Sequence, residues 1–451
     1  MFWLGFNPHI SLTRMSQVYG DIITITFGSY TAITLNSIES VRETLVKHSR
    51  VYAGRPQVYS VSEVRAGLGI LFIDFCPKYE RERKLTIRSL HRTFYQTDNL
   101  DSMLTTSATQ LIAEFRKYEG RPFNPKSLLR LLATNIVLKC FFDADFEFGG
   151  EESMEVVQNI DDFTKSTSAV NLSDIIPWIQ KLPVCNFSEM KKLFQEFIDM
   201  HQRFFARTKP SRRAGFPRNV TDALLDNLEL YNKGVTEDEA KISEKDLVCI
   251  LADLVGAAFE TIANTLSWAL MFVAAHPEWQ TVLQSELDAV VGRSRLPCLK
   301  DRDLLPNVNA ALHEVLRMSC VVPLSLPHST MQKTELRGFL IPKGTFVFVN
   351  IWAIHHDPKH WTSPHKFNPR RFLDDNGNFV PPKNRSFLPF STGGRSCIGE
   401  RLARDEIFVF FAAILQGFRL SLTSNDNEMD FNGELQLTLS PKPYLLQVEE
   451  R

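Results

Sequence analysis

The longest apolar stretch of the chain lies at residues 247–275, where apolar positions recur with helical rather than strand periodicity. Ser243 and Asp246 precede this stretch as an N-terminal capping pair, and Pro277 follows its end. A helix of this length that is apolar on nearly every face must run through the core of the protein. Because Glu260 and other polar side chains interrupt it, we predict a buried helix rather than a membrane span.

The remaining pattern predicts a mainly α protein with a smaller β-rich part, the α+β class. Helical periodicity dominates residues 81–275, apart from a polar loop at 208–217 that contains two prolines. Two further helices are expected at 277–291 and 307–318, directly after the long helix.

The β-rich runs lie at the two ends of the chain. Residues 22–27 and 30–35 predict a hairpin, and a capped short helix is expected to follow it to about residue 46. Residues 336–349 are expected to form strands that turn at residues 342–344. Residues 435–448 predict a final hairpin.

Length and charge narrow the possible classes of protein. No internal repeat or low-complexity linker divides the 451 residues, so we predict one domain over 1–451, with β-rich subregions at about 20–60, 330–350 and 435–448. Lys and Arg total 51 against 52 for Asp and Glu, a balance that argues against a nucleic-acid partner. Residues 1–9 are too short for a signal peptide, so we expect no N-terminal membrane anchor in this chain.

One of the seven cysteines has surroundings that suit a reactive or metal-binding thiol. The seven lack CxxC pairs and zinc-type spacing, which argues against a disulfide framework and favours a reducing compartment. Cys397 lies between Gly393 and Gly399, just before a helix that should start near Glu400. A helix N-terminus favours the thiolate, and Arg395 adds a cation nearby. Such a thiolate is suited to bind haem iron, and a buried inert cysteine is the alternative.

The full pattern Phe390-x-x-Gly393-x-Arg395-x-Cys397-x-Gly399 resembles the haem-binding loop of the cytochrome P450 family, the haem-thiolate monooxygenases. The similarity covers essentially the whole chain. It is greatest to animal microsomal members, in particular the steroid 17-alpha-hydroxylases and the aryl-hydrocarbon hydroxylases. The resemblance implies the cytochrome P450 fold, with haem b between the long core helix and the helix that follows the cysteine loop. Cys397 would be the thiolate ligand of the haem iron.

Haem propionates are anions, so cations should converge on them. Arg395 lies in the cysteine loop. By resemblance, Arg83 corresponds to the arginine of the family's Trp-x-x-x-Arg motif, with Tyr79 in place of the tryptophan, and His328 occupies a position where members carry His or Arg. Each alone is typical of a solvated charge, but as a set they are expected to bind the propionates. The other residues expected to bind the cofactor are Phe390, Gly393 and Gly399.

Within the long helix, Glu260 and Thr261 place a carboxylate and a hydroxyl among apolar neighbours. Buried polar groups are costly unless they are paired. One interpretation is a Thr261 hydroxyl that bonds back to the carbonyl four residues earlier and a Glu260 that reaches a crevice. The segment also resembles the family's oxygen-activation motif, with Ala258 at the usual glycine. That resemblance implies that Thr261 hydrogen-bonds the activated oxygen and that Glu260 relays protons.

Glu314 and Arg317 lie three residues apart on one helix face, the spacing of an ordinary surface salt bridge. Apolar Val315 and Leu316 lie between them. With Arg371, the pair resembles the family's Glu-x-x-Arg motif and the arginine that completes a buried triad. The resemblance therefore implies a structural role behind the haem for these three residues.

The resemblance also implies where substrate and partners bind. Substrate would contact the 60–75 and 160–180 regions, and also Ala257, Ala258, Val322, Leu324 and Leu437. A set of six basic residues forms either a solvated helix face or a docking surface for an acidic reductase. That set comprises Arg81, Lys84, Arg88, Arg92, Arg401 and Arg404.

The expected activity is insertion of one oxygen atom from O2 into a lipophilic substrate, a steroid or an aromatic xenobiotic. No dinucleotide fingerprint is present, so electrons are expected from NADPH–cytochrome P450 reductase, with cytochrome b5 as a second candidate donor. The resemblance alone implies the cytosolic face of the endoplasmic reticulum membrane, with peripheral membrane contact. The alternatives are a haem-thiolate isomerase or sensor without external electrons, and a non-catalytic helical binding protein. Glu260 and Thr261 argue against the first of these, because such members can dispense with proton delivery.

Overall fold

Helices make up most of the protein, as the apolar periodicity predicts. The computed structural model describes residues 4–5, 7–58, 68–96, 99–168, 174, 188–236, 241–382, 385–423 and 430–451. In chain order, the α-helices of these residues are α1 (Pro8–Tyr19), α2 (Ile38–Val41), α3 (Pro77–Tyr95), α4 (Asn99–Arg116), α5 (Lys126–Phe142), α6 (Glu151–Ser168), α7 (Ser188–Thr208), α8 (Val220–Asn232), α9 (Glu244–Ala274), α10 (Pro277–Val290), α11 (Pro306–Ser319), α12 (Ile351–His355) and α13 (Glu400–Gly417). A π-helical turn, Arg42–Lys47, extends α2. The described residues also contain four 3₁₀ turns, at Lys209–Ser211, Leu299–Leu304, Pro369–Phe372 and Gly393–Arg395.

The strands of the described residues are short and form a small sheet and three pairs. They are β1 (Ile22–Phe27), β2 (Tyr30–Leu35), β3 (His328–Ser329), β4 (Thr334–Leu336), β5 (Phe339–Ile341), β6 (Phe346–Val349), β7 (Phe418–Leu422), β8 (Glu434–Leu435), β9 (Leu439–Ser440) and β10 (Leu446–Glu450). The sheet has the order β1-β2-β6-β3, and the pairs are β4–β5, β7–β10 and β8–β9. The mainly α class with a smaller β-rich part is therefore confirmed.

The long helix α9 is the helix that the apolar pattern predicts, and its N-terminus is set by local chemistry. Ser243 Oγ accepts the Asp246 N–H at 3.2 Å, and Asp246 Oδ2 accepts the Ser243 N–H at 2.8 Å. This reciprocal capping box satisfies two donors that a helix end would otherwise leave unpaired. Helices α5, α7 and α13 pack around α9, so that Leu251 and Trp268 are fully buried. No helix of the described part of the chain has the length and apolar composition to cross a membrane.

The N-terminal hairpin and the turn at 342–344 are confirmed, but the later segment contains a second turn that the pattern did not predict. Strands β1 and β2 pair antiparallel, with Ile22 opposite Leu35. This second turn lies at Arg337 and Gly338, in the hairpin between β4 and β5. Both residues have positive φ, 50° and 84°, as two-residue hairpin turns of type I′ require. The turn at 342–344, in which the Thr345 N–H donates to the Pro342 carbonyl at 3.4 Å, carries the chain from that hairpin to β6, which pairs parallel with β2.

The prediction of one hairpin over 435–448 is wrong in its second strand. Strands β8 and β9 form a short hairpin, as expected for the first half. Strand β10 pairs with β7 instead, with Leu446 opposite Leu422. Alternating apolar residues mark a strand but do not identify its partner, and β7 directly follows α13, far from β10 in the sequence.

Candidate functional site

The cysteine loop is held in shape by hydrogen bonds and by a glycine that no other residue can replace without strain. The Cys397 N–H donates to the Phe390 carbonyl at 3.0 Å, which closes the loop. Gly393 has a φ of +78°, and a Cβ on it would lie 1.9 Å from the Leu45 carbonyl oxygen. Gly399 is the N-cap residue of α13, so the loop delivers Cys397 to the N-terminus of that helix. The π-helical turn that contains Leu45 therefore packs directly on the loop.

The Cys397 side chain has open surface on one side, while the protein packed around the rest of it raises the pKa of the thiol. The Gly399 N–H lowers the pKa of this thiol, Glu400 raises it and Arg83 lowers it. The expectation of a favoured thiolate rested on the helix N-terminus and the nearby Arg395 cation, and the loss of hydration outweighs both effects. A metal ion bound at the sulfur would supply the charge that deprotonates such a thiol.

Arginine side chains converge beside this loop with few negative partners. Arg395 Nε donates to the Ala53 carbonyl at 2.8 Å, and its guanidinium lies 3.6 Å from the centre of the Tyr79 ring. Arg55 Nε donates to the Leu71 carbonyl at 2.9 Å, and its side chain is buried. Burial and the charges of Arg395 and Arg83 lower the pKa of Arg55 to about 9.

The cluster of Arg55, Arg83 and Arg395 carries net positive charge. Asp74 is the carboxylate that raises the pKa of Arg395, and its Oδ1 accepts the Arg55 backbone N–H at 3.1 Å. One carboxylate cannot neutralise three guanidiniums, so the cluster is suited to a ligand with two negative charges. Arg55 is absent from the set predicted from the sequence, although the segment 54–56 is part of the resemblance, because a lone arginine gives no sign of its burial.

Arg83 and His328 reach this cluster in different ways. Arg83 Nη2 donates to the Ser396 carbonyl at 2.8 Å and thereby supports the cysteine loop. His328 Nδ1 lies 2.9 Å from the Tyr52 carbonyl, so Nδ1 carries the hydrogen and donates. Burial and the Arg55 charge lower the pKa of His328 to about 3, so its ring is neutral. In this tautomer Nε2 is an acceptor, and His328 would bind an anion only when protonated.

The arginine cluster is connected to the long helix through the segment 69–71. Asp253 Oδ2 on α9 accepts the N–H groups of Ile70 and Leu71 at 2.7 and 3.0 Å. Gly69 has a φ of +82°, and a Cβ there would lie 2.3 Å from the same oxygen. The Ile70 and Leu71 carbonyls in turn accept from Arg395 and Arg55. Asp253 appears in the sequence only as a polar interruption of an apolar helix, because its partners are backbone groups distant in the chain.

Glu260 and Thr261 occupy different sides of α9. Ala257 is exposed and Thr261 is half-buried, and Thr261 Oγ1 donates to the Ala257 carbonyl at 2.8 Å. Glu260 is 6% exposed, and burial raises its pKa while the charges of Arg130 and Lys126 on α5 lower it. The back-bonded threonine that the sequence suggested is thus present, and the carboxylate is turned towards α5.

The residues of this region fit a haem group. A haem needs an axial ligand, positive charge for its two propionates and a flat apolar surface. The Cys397 thiol, the net positive arginine cluster and the small side chains of Gly256, Ala257 and Ala258 provide these three features. Because Asp253 ties the arginine cluster to α9, the three features belong to one connected part of the fold.

Glu314, Arg317 and Arg371 are brought together by the fold. Arg317 Nε donates to Glu314 Oε2 at 2.8 Å, and Arg371 Nε donates to Glu314 Oε1 at 3.0 Å. Glu314 and Arg317 are fully buried. Arg317 Nη1 also donates to the His355 carbonyl at 2.7 Å, which joins α11 to α12. Every strong donor of this network therefore has an acceptor, as a buried ion pair requires.

The expected pocket residues are described only in part. Val322 and Leu324 are half-buried, and Leu437 is exposed in the turn between β8 and β9. The Leu439 N–H donates to the Val321 carbonyl at 2.8 Å, which brings these two segments together. Much of the 60–75 and 160–180 regions, which are also expected to contact substrate, lies outside the described residues. The residues concerned are 59–67, 169–173 and 175–180.

Part of the basic set is neutralised locally. Arg92 pairs with Asp226 at 3.2 Å, and Arg404 pairs with Glu400 at 3.0 Å. Arg401 lies 3.4 Å from the centre of the Tyr95 ring. The exposed members of the set are Lys84, Arg88 and Arg401.

Glu406 on α13 gives a prediction about pH. Burial and the Asp405 charge raise the pKa of Glu406 to about 8 from its ordinary value of 4.5. The folded protein therefore binds more protons than the unfolded chain between these values, so stability falls as pH rises from 4.5 to 8, by about 1.4 kcal/mol per pH unit. We expect Glu406→Gln to remove this loss and to raise the melting temperature at pH 8 but not at pH 4.5. Thermal unfolding of the wild type and the variant at both pH values measures this effect. An equal difference in melting temperature at the two pH values would contradict the prediction.

Comparisons with known proteins agree with this description. A profile of the Cytochrome P450 family matches residues 1–448. Human Cytochrome P450 1A1 is 33% identical over 433 residues, which cover 94% of this chain and 84% of that protein. Human Cytochrome P450 2U1 is 30% identical over 447 residues, covering 99% of this chain and 81% of that protein. A zebra fish cytochrome P450 structure with progesterone superposes with a TM-score of 0.88 at 32% identity, covering 98% of this chain and 99% of that one. The chain therefore belongs to the cytochrome P450 family of haem-thiolate monooxygenases.

Proposed function

We propose that the protein inserts one oxygen atom of O2 into a lipophilic substrate, a steroid or an aromatic xenobiotic. The observation that carries this proposal is the pair of Glu260 and Thr261 on α9. The pair joins a buried carboxylate of raised pKa to a hydroxyl beside the exposed Ala257. An enzyme that reduces O2 to water must deliver protons, and a carboxylate that retains its proton more readily than usual is suited to do so.

The residues of the site have distinct roles in this proposal. Haem b, bound through the Cys397 thiolate, supplies the activation of O2. Arg55, Arg83 and Arg395 hold the propionates, and the turn containing Gly393 fixes the thiolate. Thr261 offers a hydroxyl to the reacting oxygen, and Glu260 replaces the proton that the hydroxyl gives up.

The proposed substrate class rests on relatives and on the apolar surface. One zebra fish cytochrome P450 structure was solved with progesterone and another with abiraterone, and they superpose with TM-scores of 0.88 and 0.86. The expected pocket residues are uncharged, and most of them are aliphatic; they are Ala257, Ala258, Val322, Leu324 and Leu437. A steroid offers the large apolar area that such a surface can bury.

The proposed electron donor is NADPH–cytochrome P450 reductase, with cytochrome b5 as an additional donor. Exposed Lys84, Arg88 and Arg401 support an acidic partner, because complementary charge steers transient complexes. The microsomal relatives support a location at the cytosolic face of the endoplasmic reticulum membrane with peripheral contact.

Glu260→Gln tests the proton-delivery role. Glutamine keeps the shape of the side chain but cannot relay a proton, so we expect product formation to fall by about 10²-fold, the lower end of the range for general acid–base catalysis. Progesterone oxidation, NADPH consumption and peroxide release are measured with reductase added. We expect peroxide release per NADPH to increase. The exposed Glu278→Gln, at the start of α10, is the control and should leave all three unchanged.

Two outcomes would contradict the proposal. If the peroxide released per NADPH consumed were the same in Glu260→Gln as in the wild type, this carboxylate would have no role in proton delivery. A wild-type protein that binds haem through thiolate but consumes no NADPH with any steroid or aromatic probe would favour the isomerase or sensor alternative.

A further inference from the structure

The loop between α7 and α8 carries the most exposed large apolar side chain of the described residues. Phe216 in this loop is 78% exposed. A single exposed apolar side chain needs no explanation by itself, because folded proteins keep many of them. The contacts that hold the loop, and the side chains beside it, distinguish Phe216 from such a case.

The backbone of this loop is fixed by an ion pair between α3 and α8. Arg92 Nη2 donates to the Gly215 carbonyl at 2.7 Å, and the Gly215 N–H donates to Asp226 Oδ2 at 3.0 Å. Arg92 and Asp226 themselves pair at 3.2 Å. The Phe216 N–H donates to the Arg213 carbonyl at 3.0 Å, which closes a turn. Phe216 is therefore held in place before any partner binds, and less conformational entropy is lost on binding.

The exposed face of α3 continues the surface that carries Phe216. Lys84, Ile87 and Arg88 lie on that face, and Ile87 is 44% exposed. Arg92 follows Arg88 by one helical turn, so the loop adjoins the end of this face. Lys84, Arg88 and Arg213 are exposed, and no carboxylate of the described part of the chain pairs with them. Apolar side chains beside unpaired cations match the apolar centre and charged rim of a protein interface.

Helix α3 connects this surface to the cysteine loop. Arg83, on the same helix, donates from Nη2 to the Ser396 carbonyl at 2.8 Å. Arg92 lies about 14 Å further along the helix axis, at 1.5 Å per residue. A protein docked on this face thus lies close to the loop that holds Cys397, where an electron donor must bring its own cofactor.

We propose that Phe216 is an apolar anchor for the electron-donor protein, and that the loop 211–217 and the exposed face of α3 form one docking surface for an acidic partner. The unpaired cations steer the partner, because complementary charge raises the rate of association. The Phe216 ring then packs against the partner and slows its dissociation, as buried aromatic anchors do. The inference rests on the proposed function, in which electrons come from a reductase.

The occupant is a protein rather than a lipid surface. An anionic membrane would also attract cations and a phenylalanine ring. The connection through Arg83 to the cysteine loop favours the electron donor, because a membrane on this face would block the approach of that donor to the loop.

The test follows electron transfer to the haem and needs no substrate. The haem-loaded protein is mixed with NADPH-reduced cytochrome P450 reductase under carbon monoxide, and the ferrous–carbon monoxide band is followed at several reductase concentrations. We expect Phe216→Ala to raise the half-maximal reductase concentration about tenfold, as the loss of an interface anchor does. The rate at saturating reductase should not change. Phe216→Trp keeps an aromatic ring and should retain the wild-type behaviour.

Phe339→Ala is the matched control for this substitution. Phe339 is 64% exposed in the β4–β5 hairpin, but the neighbouring cation, Arg337, pairs with Glu43 at 3.2 Å and with Asp21 at 3.7 Å. This surface is apolar and exposed without carrying unpaired cations from α3. Its substitution should change neither the half-maximal concentration nor the saturating rate.

Ionic strength separates the anchor from the steering charges. Arg88→Gln should also raise the half-maximal reductase concentration, and this effect should shrink at high ionic strength, because salt screens exposed charges. The effect of Phe216→Ala should persist at high ionic strength, since an apolar contact is not screened.

Two results would overturn the inference. A half-maximal concentration no higher in Phe216→Ala than in Phe339→Ala would exclude Phe216 from the docking surface. The same result, together with weaker co-sedimentation of Phe216→Ala with vesicles of phosphatidylcholine and phosphatidylserine, would assign the loop to a lipid surface. In both cases the wild-type protein still accepts electrons. A wild-type haem that the reductase does not reduce at all would instead contradict the proposed electron donor, and the inference with it.

Discussion

Replacing Cys397 with alanine is expected to abolish the red-shifted Soret band that a thiolate-ligated ferrous haem gives with carbon monoxide. The sulfur is the axial ligand that the family assignment and the loop geometry together imply. Alanine removes it while the Phe390 carbonyl can still accept the backbone N–H of position 397. The difference spectrum of the purified, haem-loaded variant measures the change. We expect complete loss of the band and of monooxygenase activity.

Cys298→Ala is the matched control for this substitution. Cys298 is half-buried whereas Cys397 is exposed, and Cys298 lies beside Arg295 and Asp301 rather than beside the arginine cluster. Its removal should leave the thiolate band intact. A thiolate-type band that persisted in Cys397→Ala would show that another sulfur binds the iron, and the assignment of the whole loop would be wrong.

Removing the Glu314 carboxylate is expected to cost about 3–5 kcal/mol of folding stability, as for other buried ion pairs that lose one partner. Arg317 would keep its charge at a fully buried position, with the His355 carbonyl as its remaining acceptor. Arg371 and the Asn368 N–H would lose the same acceptor, at 3.0 and 2.9 Å. Urea unfolding of Glu314→Ala against the wild-type protein, at equal haem loading, measures the difference in the free energy of unfolding.

Two further variants show whether the charge or the shape of Glu314 matters. Glu314→Gln keeps the shape and one acceptor oxygen, but it places an amide NH2 donor against a guanidinium and leaves two guanidiniums unneutralised, so we expect a substantial loss of stability, no larger than that of Glu314→Ala. Arg371→Lys should cost less than either, because the Arg371 side chain is 11% exposed and its Nη atoms bond only carbonyls. A loss below about 1 kcal/mol for Glu314→Ala would be typical of a surface pair and would contradict the buried-triad interpretation.

Local chemistry explains which elements could be predicted from the sequence. The ends of α9 follow from Ser243, Asp246 and Pro277, which act on neighbouring backbone groups. The hairpin of β1 and β2 is likewise a contact between adjacent segments. The partner of β10 could not be predicted in this way, because its pairing with β7 joins segments that the alternating pattern does not distinguish.

In the candidate site, too, local motifs could be predicted from the sequence and contacts between distant segments could not. The spacing around Cys397 identifies the loop, since the loop is continuous in sequence. The sign of the thiol's pKa shift was not predictable, because burial by distant segments outweighs the helix terminus. Arg55 and Asp253 could not be identified from the sequence either, since Asp253 accepts from the backbone of residues 70 and 71 and Arg55 donates to the carbonyls of residues 71, 326 and 327. A side chain whose hydrogen bonds go to backbone groups distant in the sequence leaves no recognisable sequence motif.

The link between Asp253 and the arginine cluster has a thermodynamic consequence. The peptide groups of Ile70 and Leu71 are held by Asp253 on one side and by Arg395 and Arg55 on the other. A ligand that displaces α9 must therefore stretch or release hydrogen bonds in the arginine cluster. Coupling between two binding events is reciprocal. A substrate that changes the affinity for the cofactor through this link must have its own affinity changed by the cofactor by the same factor.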